Sequence, residues 1–236
     1  RINDDAHRDG LQNEPAPIPT ADKAALVNAL ARTGVDEVEV TSFVSAKWVP
    51  QLGDAADLCE MVAASKPTGA VYSALVPNER GLGALLAANA SAEATAGSRV
   101  IDKASVFTAA SETFSTKNTT ASLAETIARF RPVITRAHAA GLATRGYVSC
   151  IVACPFEGPI AAGAVADVAS QLLQLGVTEI DLGDTIGAAT PESIAQVIMA
   201  VRPMCDAAGA DLVLHLHATF GRASDCIGVA LELGVR

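Results

Sequence analysis

The chain has 236 residues, half of them hydrophobic and 18% charged, with a formal net charge of −9. That suits one globular domain with a substantial core. Without a dense run of Lys or Arg it argues against a nucleic-acid partner, and no apolar run approaches the ~20 residues of a membrane span. An anionic substrate would have to be met by local positive groups or a bound cation.

From the start of the chain, residues 1–6 read as the stub of a strand, followed by the polar cluster His7-Arg8-Asp9-Gly10-Leu11-Gln12-Asn13-Glu14. The next strand pattern, 35–43, places Glu37, Glu39 and Thr41 on one face and Val38 and Val40 on the other, with Lys47 and Trp48 in the loop beyond. Further β-rich runs follow at 70–76 and 104–108, separated by an Ala-rich stretch at 84–98 that reads as an expanded loop or a helix extension. Ser122 and Glu125 form a capping-box pattern ahead of Ile127, Phe130 and Ile134, and Pro132 is expected to kink or interrupt that helix. His138, near the helix end, reads as a surface residue or a charge partner of the helix C-terminus. Strand patterns recur at 144–152 and 179–184. Thr190-Pro191-Glu192 then gives an N-cap, a proline at the first helical position and a first-turn acid, with Ile194, Val197, Ile198 and Val201 at helical spacing. The last strand pattern is 212–217. Gly34, Gly141, Gly176 and Gly234 each follow a helical stretch, where a left-handed cap is wanted.

Strands alternating with helices imply a parallel sheet, since parallel neighbours need a crossover connection. The count reaches seven strands. The expectation is a TIM (β/α)8-type barrel, truncated after about seven units, forming a single domain over residues 1–236 with its C-terminal part missing. A doubly wound open sheet is the other architecture compatible with the pattern. No glycine-rich dinucleotide fingerprint follows the first strand to support it.

The five cysteines, Cys59, Cys150, Cys154, Cys205 and Cys226, are odd in number and scattered, which suggests a reducing compartment rather than a disulfide framework. Cys150 and Cys154 lie close together, but no second paired motif accompanies them, so they read as buried thiols. A cytoplasmic location is expected, and the first residue, Arg1, leaves room for a removed organelle-targeting segment.

In a β/α barrel, chemistry sits at the C-terminal ends of the strands. His215 and His217 share a strand face opposite Leu212, Leu214 and Leu216, so both imidazoles can ligate one cation, or stand as hydrogen-bonded core histidines. Arg8 and Asp9 follow the first strand, where a guanidinium can meet an anion and a carboxylate a metal, although a solvated loop reads equally well. An inward-facing Glu39 needs a compensating cation or donor. Asp184 closes its strand on the same face as Ile180 and Leu182, either as a site acid or as a cap of the following turn.

Several blocks are similar to hydroxymethylglutaryl-CoA lyases: Arg8-Asp9-Gly10-Leu11-Gln12-Asn13-Glu14, Val38-Glu39-Val40-Thr41-Ser42-Phe43-Val44-Ser45, Lys47-Trp48-Val49-Pro50, Arg145-Gly146-Tyr147-Val148-Ser149-Cys150, Leu182-Gly183-Asp184-Thr185-Ile186-Gly187 and His215-Leu216-His217. The resemblance runs from about Arg8 to the end of the chain. It implies cleavage of 3-hydroxy-3-methylglutaryl-CoA to acetoacetate and acetyl-CoA, in leucine catabolism or ketone-body formation. A divalent cation, Mg²⁺ or Mn²⁺, would be held by Asp9, His215 and His217. Arg8 would stabilise the enolate oxygen, Glu39 would support the site, and His215 would take part in proton transfer. Asp184 would act in catalysis, and Gln12 would contact the substrate. A further Asn ligand and a glycine-rich cysteine loop of the family would lie beyond Arg236. The implied partner is an acyl-CoA substrate, with a homo-oligomer as the assembly. A Claisen-type acyltransferase on the same barrel and a non-catalytic truncated homologue are the competing functions. Three departures stand out: Pro15 where the family commonly has lysine, His7 where it has proline, and Ala218 where it has aspartate.

Overall fold

The computed structural model describes residues 1–235. Two compact units emerge, Arg1–Ser105 with Arg136–Ala143, and Val106–Thr135 with Thr144–Arg236.

In the first unit β1 (Asn3–Asp4) leads into a single π-helical turn, Ala6–Gly10, and a 3-10 turn, Leu11–Asn13. Helix α1 (Thr20–Ala31), β2 (Glu37–Ser42), α2 (Ala55–Ala63), β3 (Val71–Leu75) and α3 (Glu79–Ala96) follow in alternation, and β4 (Lys103–Ala109) begins here. β1 pairs with β2, β2 with β3 and β3 with β4, all in parallel. All six residues of β2 are buried, as expected of a parallel strand covered on both faces. Val38 and Val40 belong to its apolar core, and α1 and α2 pack against this strand.

The register of β2 on β3 shifts between Glu39 and Thr41. Simple alternation places Thr41 beside Glu37 and Glu39. The shift instead aligns Thr41 with Ala74 and brings Ser42 level with Leu75, on the face that carries Glu39 and Ser73.

The second unit takes β4 onward through α4 (Glu112–Thr119), most of α5 (Leu123–Ala139), β5 (Ala143–Ser149) and a two-stranded hairpin of β6 (Ala153–Cys154) and β7 (Gly158–Pro159). It continues through α6 (Ala162–Gln174), β8 (Glu179–Asp184), α7 (Pro191–Ala208), β9 (Asp211–Leu216) and α8 (Ala223–Glu232). β5 pairs with β8 and β8 with β9, again in parallel. Counting β4 once, the strand order is β1-β2-β3-β4-β5-β8-β9, the sequential all-parallel order of a TIM-type β/α fold.

Local signals act largely as expected. Thr190 caps α7 by accepting from the Ser193 backbone N–H at 3.2 Å, with Pro191 next in line, and Ser122 and Glu125 cap α5 reciprocally. Most of the Ala-rich stretch is helical, as the continuation of α3 up to Ala96, closed by Gly97 in the left-handed region (φ 80°). Pro132 does not interrupt α5, which runs helical on both sides of it. Gly146 on β5 shows why a side chain is missing there: a Cβ would come within 2.9 Å of Leu172 on α6.

Candidate active site

In the first unit the site is built on the π-helical turn, a rare device that recurs at functional positions. The backbone N–H groups of Arg8 and Asp9 both donate to the carbonyl of Asp5, at 3.1 and 2.7 Å. This tight turn buries Arg8 immediately after β1. Its Nε donates to Glu39 Oε2 at 2.5 Å and its Nη1 to Asp9 Oδ1 at 2.7 Å, while the Asp5 carboxylate lies 3.9 Å away. Glu39 is 0% exposed, so the guanidinium supplies the cation that its burial requires. Gln12 Nε2 donates to the same Asp9 oxygen at 2.9 Å, and Asn13 Nδ2 donates to the Asp9 carbonyl at 3.0 Å. Gln12 therefore orients Asp9. Glu37 is balanced separately by Lys103 Nζ at 2.6 Å. His7, next to Arg8, is held neutral: burial and the nearby Lys23 charge push its pKa down to about 4. Trp48 is 71% exposed in the loop after β2.

In the second unit β9 presents His215 and the chain immediately beyond it presents His217, their ring centroids 5.0 Å apart. His217 Nδ1 lies 2.8 Å from the backbone carbonyl of Asp184. A carbonyl only accepts, so Nδ1 carries the hydrogen, and in the neutral ring the lone pair that a metal needs is on Nε2. The side chain of Asp184 is engaged elsewhere, because its two oxygens accept from the backbone N–H groups of Ala188 and Ala189, both at 3.0 Å. Asp184 caps the turn and positions His217 through its backbone. Gly187 completes this arrangement at φ +70°, where a Cβ would stand 2.6 Å from Thr219 Oγ1 and 2.8 Å from the His217 carbonyl. Only glycine allows that approach of the two loops.

Below the histidines lies a charged layer to which the sequence reading assigned no role. Arg145 is 0% exposed, its Nε is bonded to Glu179 Oε1 and lies 3.8 Å from Asp181 Oδ2, and its Nη1 donates to the Tyr147 hydroxyl at 3.0 Å. The Tyr147 ring stands edge-on to His215 with centroids 6.2 Å apart. The available signal was an arginine within β5 and two acids at alternate positions of β8, Glu179 and Asp181. Cys150 and Cys154 are buried free thiols, as expected, and burial pushes Cys150 up to about 12.

Two imidazoles with centroids 5.0 Å apart, one with its Nδ1 hydrogen-bonded to a backbone carbonyl, fit a divalent cation of the type that accepts mixed nitrogen and oxygen ligands. The profile of the HMGL-like family matches residues 1–236. This chain belongs to the HMGL-like family. A mitochondrial hydroxymethylglutaryl-CoA lyase from Gallus gallus is 42% identical over 228 residues, 97% of this chain and 72% of the relative. This chain spans 66% of the corresponding Bos taurus protein. Among solved structures, the HMG-CoA lyase of Brucella melitensis is 46% identical with a TM-score of 0.89, covering 100% of this chain and 78% of that one. An HMG-CoA lyase from Acinetobacter baumannii, solved with coenzyme A and 3-methylmalate, is 29% identical with a TM-score of 0.84, covering 100% of this chain and 72% of that one. Among the described residues no helix of this family member is long and apolar enough to cross a membrane.

Proposed function

We propose that this chain is a divalent-cation-dependent carbon–carbon lyase that cleaves 3-hydroxy-3-methylglutaryl-CoA to acetoacetate and acetyl-CoA. The observation that carries the reading is the histidine pair, with ring centroids 5.0 Å apart and His217 Nδ1 tied to the Asp184 carbonyl at 2.8 Å. The names of the relatives supply the substrate class, an acyl-CoA thioester. In this reading Asp9, His215 and His217 would hold the cation, Mg²⁺ or Mn²⁺, through carboxylate oxygen and imidazole nitrogen. When bound, that cation would supply Lewis-acid polarisation of the substrate oxygens, worth several kcal/mol in such reactions.

Cleavage requires that the tertiary hydroxyl lose its proton and that the bond between C2 and C3 break. C3 then becomes the ketone of acetoacetate, and the electron pair passes to the thioester enolate, which is protonated at C2. His215 is assigned the proton transfer, as an imidazole can take and return a proton near neutral pH. Arg8 is assigned the enolate oxygen. Its guanidinium is held by Glu39 at 2.5 Å and Asp9 at 2.7 Å, so it can meet a developing oxyanion without reorganising. Glu39 acts through Arg8, and Gln12 acts through Asp9 by its 2.9 Å hydrogen bond.

The test is acetoacetate release from the thioester with and without Mn²⁺, paired with calorimetric titration of Mn²⁺. His215→Ala and His217→Ala are each expected to weaken Mn²⁺ binding by about tenfold or more. Unchanged affinity in both variants sinks the metal assignment.

A further inference from the structure

On one face of the second unit the register of β5, β8 and β9 stacks side chains in levels. Tyr147, Asp181 and Val213 share one level, and Ser149, Gly183 and His215 share the next. At its own level His215 therefore faces a glycine on β8. A Cβ at Gly183 would meet backbone atoms of Ser149 and Val148 no closer than 3.6 Å, so packing does not demand a glycine there. Its effect is to clear the diagonal from His215 down to Asp181. Along that diagonal a carboxylate oxygen of Asp181 lies within 4.8 Å of a ring nitrogen of His215.

Asp181 is 2% exposed and stands 3.8 Å from Arg145, which forms its tighter pair with Glu179. A buried carboxylate is stabilised by the N–H donors that face it. The His215 ring is an N–H donor that the strand register brings along this diagonal, with a ring nitrogen within 4.8 Å of the carboxylate.

We propose that Asp181 is a positioning residue for His215. Its carboxylate holds one ring nitrogen as a hydrogen-bonded N–H, directly or through one water, and leaves the lone pair on the opposite nitrogen. Asp181 thus does for His215 with a side chain what the Asp184 carbonyl does for His217 with the backbone. A carboxylate behind a ligating imidazole raises its basicity and fixes its ring plane, and removing such a partner typically lowers metal affinity about 10–100-fold. The consequence for affinity rests on the metal-dependent reading above. The fixed tautomer does not.

The experiment has two arms on the same proteins. In the first, ring ¹⁵N spectra of the metal-free chain are compared for wild type, Asp181→Ala, Asp181→Asn and Glu179→Gln. Asp181→Ala moves the His215 nitrogen shifts and leaves those of His217 unchanged. Asp181→Asn, which keeps an acceptor oxygen and nearly the same shape, moves them less and covers the case in which the alanine variant does not fold. Glu179→Gln removes a carboxylate from the same arginine without reaching His215, and leaves its shifts in place. In the second arm Mn²⁺ titration gives a dissociation constant about tenfold or more higher for Asp181→Ala and within about twofold of wild type for Glu179→Gln. Unmoved His215 signals in Asp181→Ala, or equal shifts in both histidines, overturn the proposal. A wild-type chain that binds no Mn²⁺ but shows the selective His215 shift refutes the metal-dependent reading and leaves Asp181 in its positioning role.

Discussion

Replacing Arg145 by leucine strips the charged layer of its central cation while keeping a side chain that fills much of the space. Arg145 is wholly buried and holds Glu179 and Asp181, which are 4% and 2% exposed. Breaking a buried ion pair from one side leaves an uncompensated charge and costs about 3–5 kcal/mol. The loss of the 3.0 Å bond to the Tyr147 hydroxyl adds to that cost. For a chain of this length each kcal/mol lowers the midpoint by about 2–4 °C, so a fall of about 6–20 °C is expected. Thermal and urea unfolding followed by far-UV circular dichroism would measure it. Trp48 fluorescence gives a separate report on the first unit. Removing one stranded charge in Arg145→Leu/Glu179→Gln should recover part of the loss, because neutralising the partner relieves the penalty. A single variant within about 1 kcal/mol of wild type, or a double variant no more stable than the single, would refute the reasoning.

Other consequences are testable with single substitutions. Arg8→Lys keeps a charge but loses the planar fork, so kcat should fall by about 10²–10³ with little change in KM, in steady-state assays of acetoacetate release. His7 has a folded pKa of about 4 against 6.5 unfolded, so its neutral burial contributes fully above pH 6.5, and that contribution is lost as pH falls toward 4. At pH 5 the loss is about 2 kcal/mol, and His7→Leu should flatten the fall in melting temperature between pH 7 and pH 5. Gly187→Ala should weaken Mn²⁺ binding by pushing on the His217 carbonyl and Thr219, whereas Gly228→Ala, with nothing within 4 Å of its Cβ, should leave it unchanged. Cys59, pushed up to about 12 by burial, should resist alkylation at pH 8 until the chain unfolds, as timed mass spectrometry would show.

Much of this was legible before the structure because period and capping are local. The strand at Glu179–Asp184 and the cap at Thr190 follow from residues a few positions apart. The pairing of Arg8 with Glu39 spans 31 residues, and only the parallel order of β1 and β2 brings them together. The shift that exchanges Thr41 for Ser42 depends on where β3 pairs, which no single-strand pattern records. Asp184 was ambiguous for a related reason. Alternation sets its face, but the turn that occupies its carboxylate is formed by Ala188 and Ala189, whose N–H groups carry no side-chain signature. Arg145 and Asp181 were visible as charges in strands, yet their roles depend on the cross-strand register with β9.

The division of labour between the two strand faces has a consequence for how such a chain can change over generations. Val38, Val40, Ile180 and Leu182 lie toward the helices and belong to the apolar core, while Glu39, Arg145 and Asp181 occupy the opposite faces and are held by charge. Drift in the apolar layer is constrained by volume and tolerates aliphatic exchange. Drift in the charged layer is constrained by pairing, so an acid or a base there can be gained or lost only together with its partner. New substrate preferences in this lineage should therefore appear as coordinated double exchanges on one face, over an apolar layer that hardly moves.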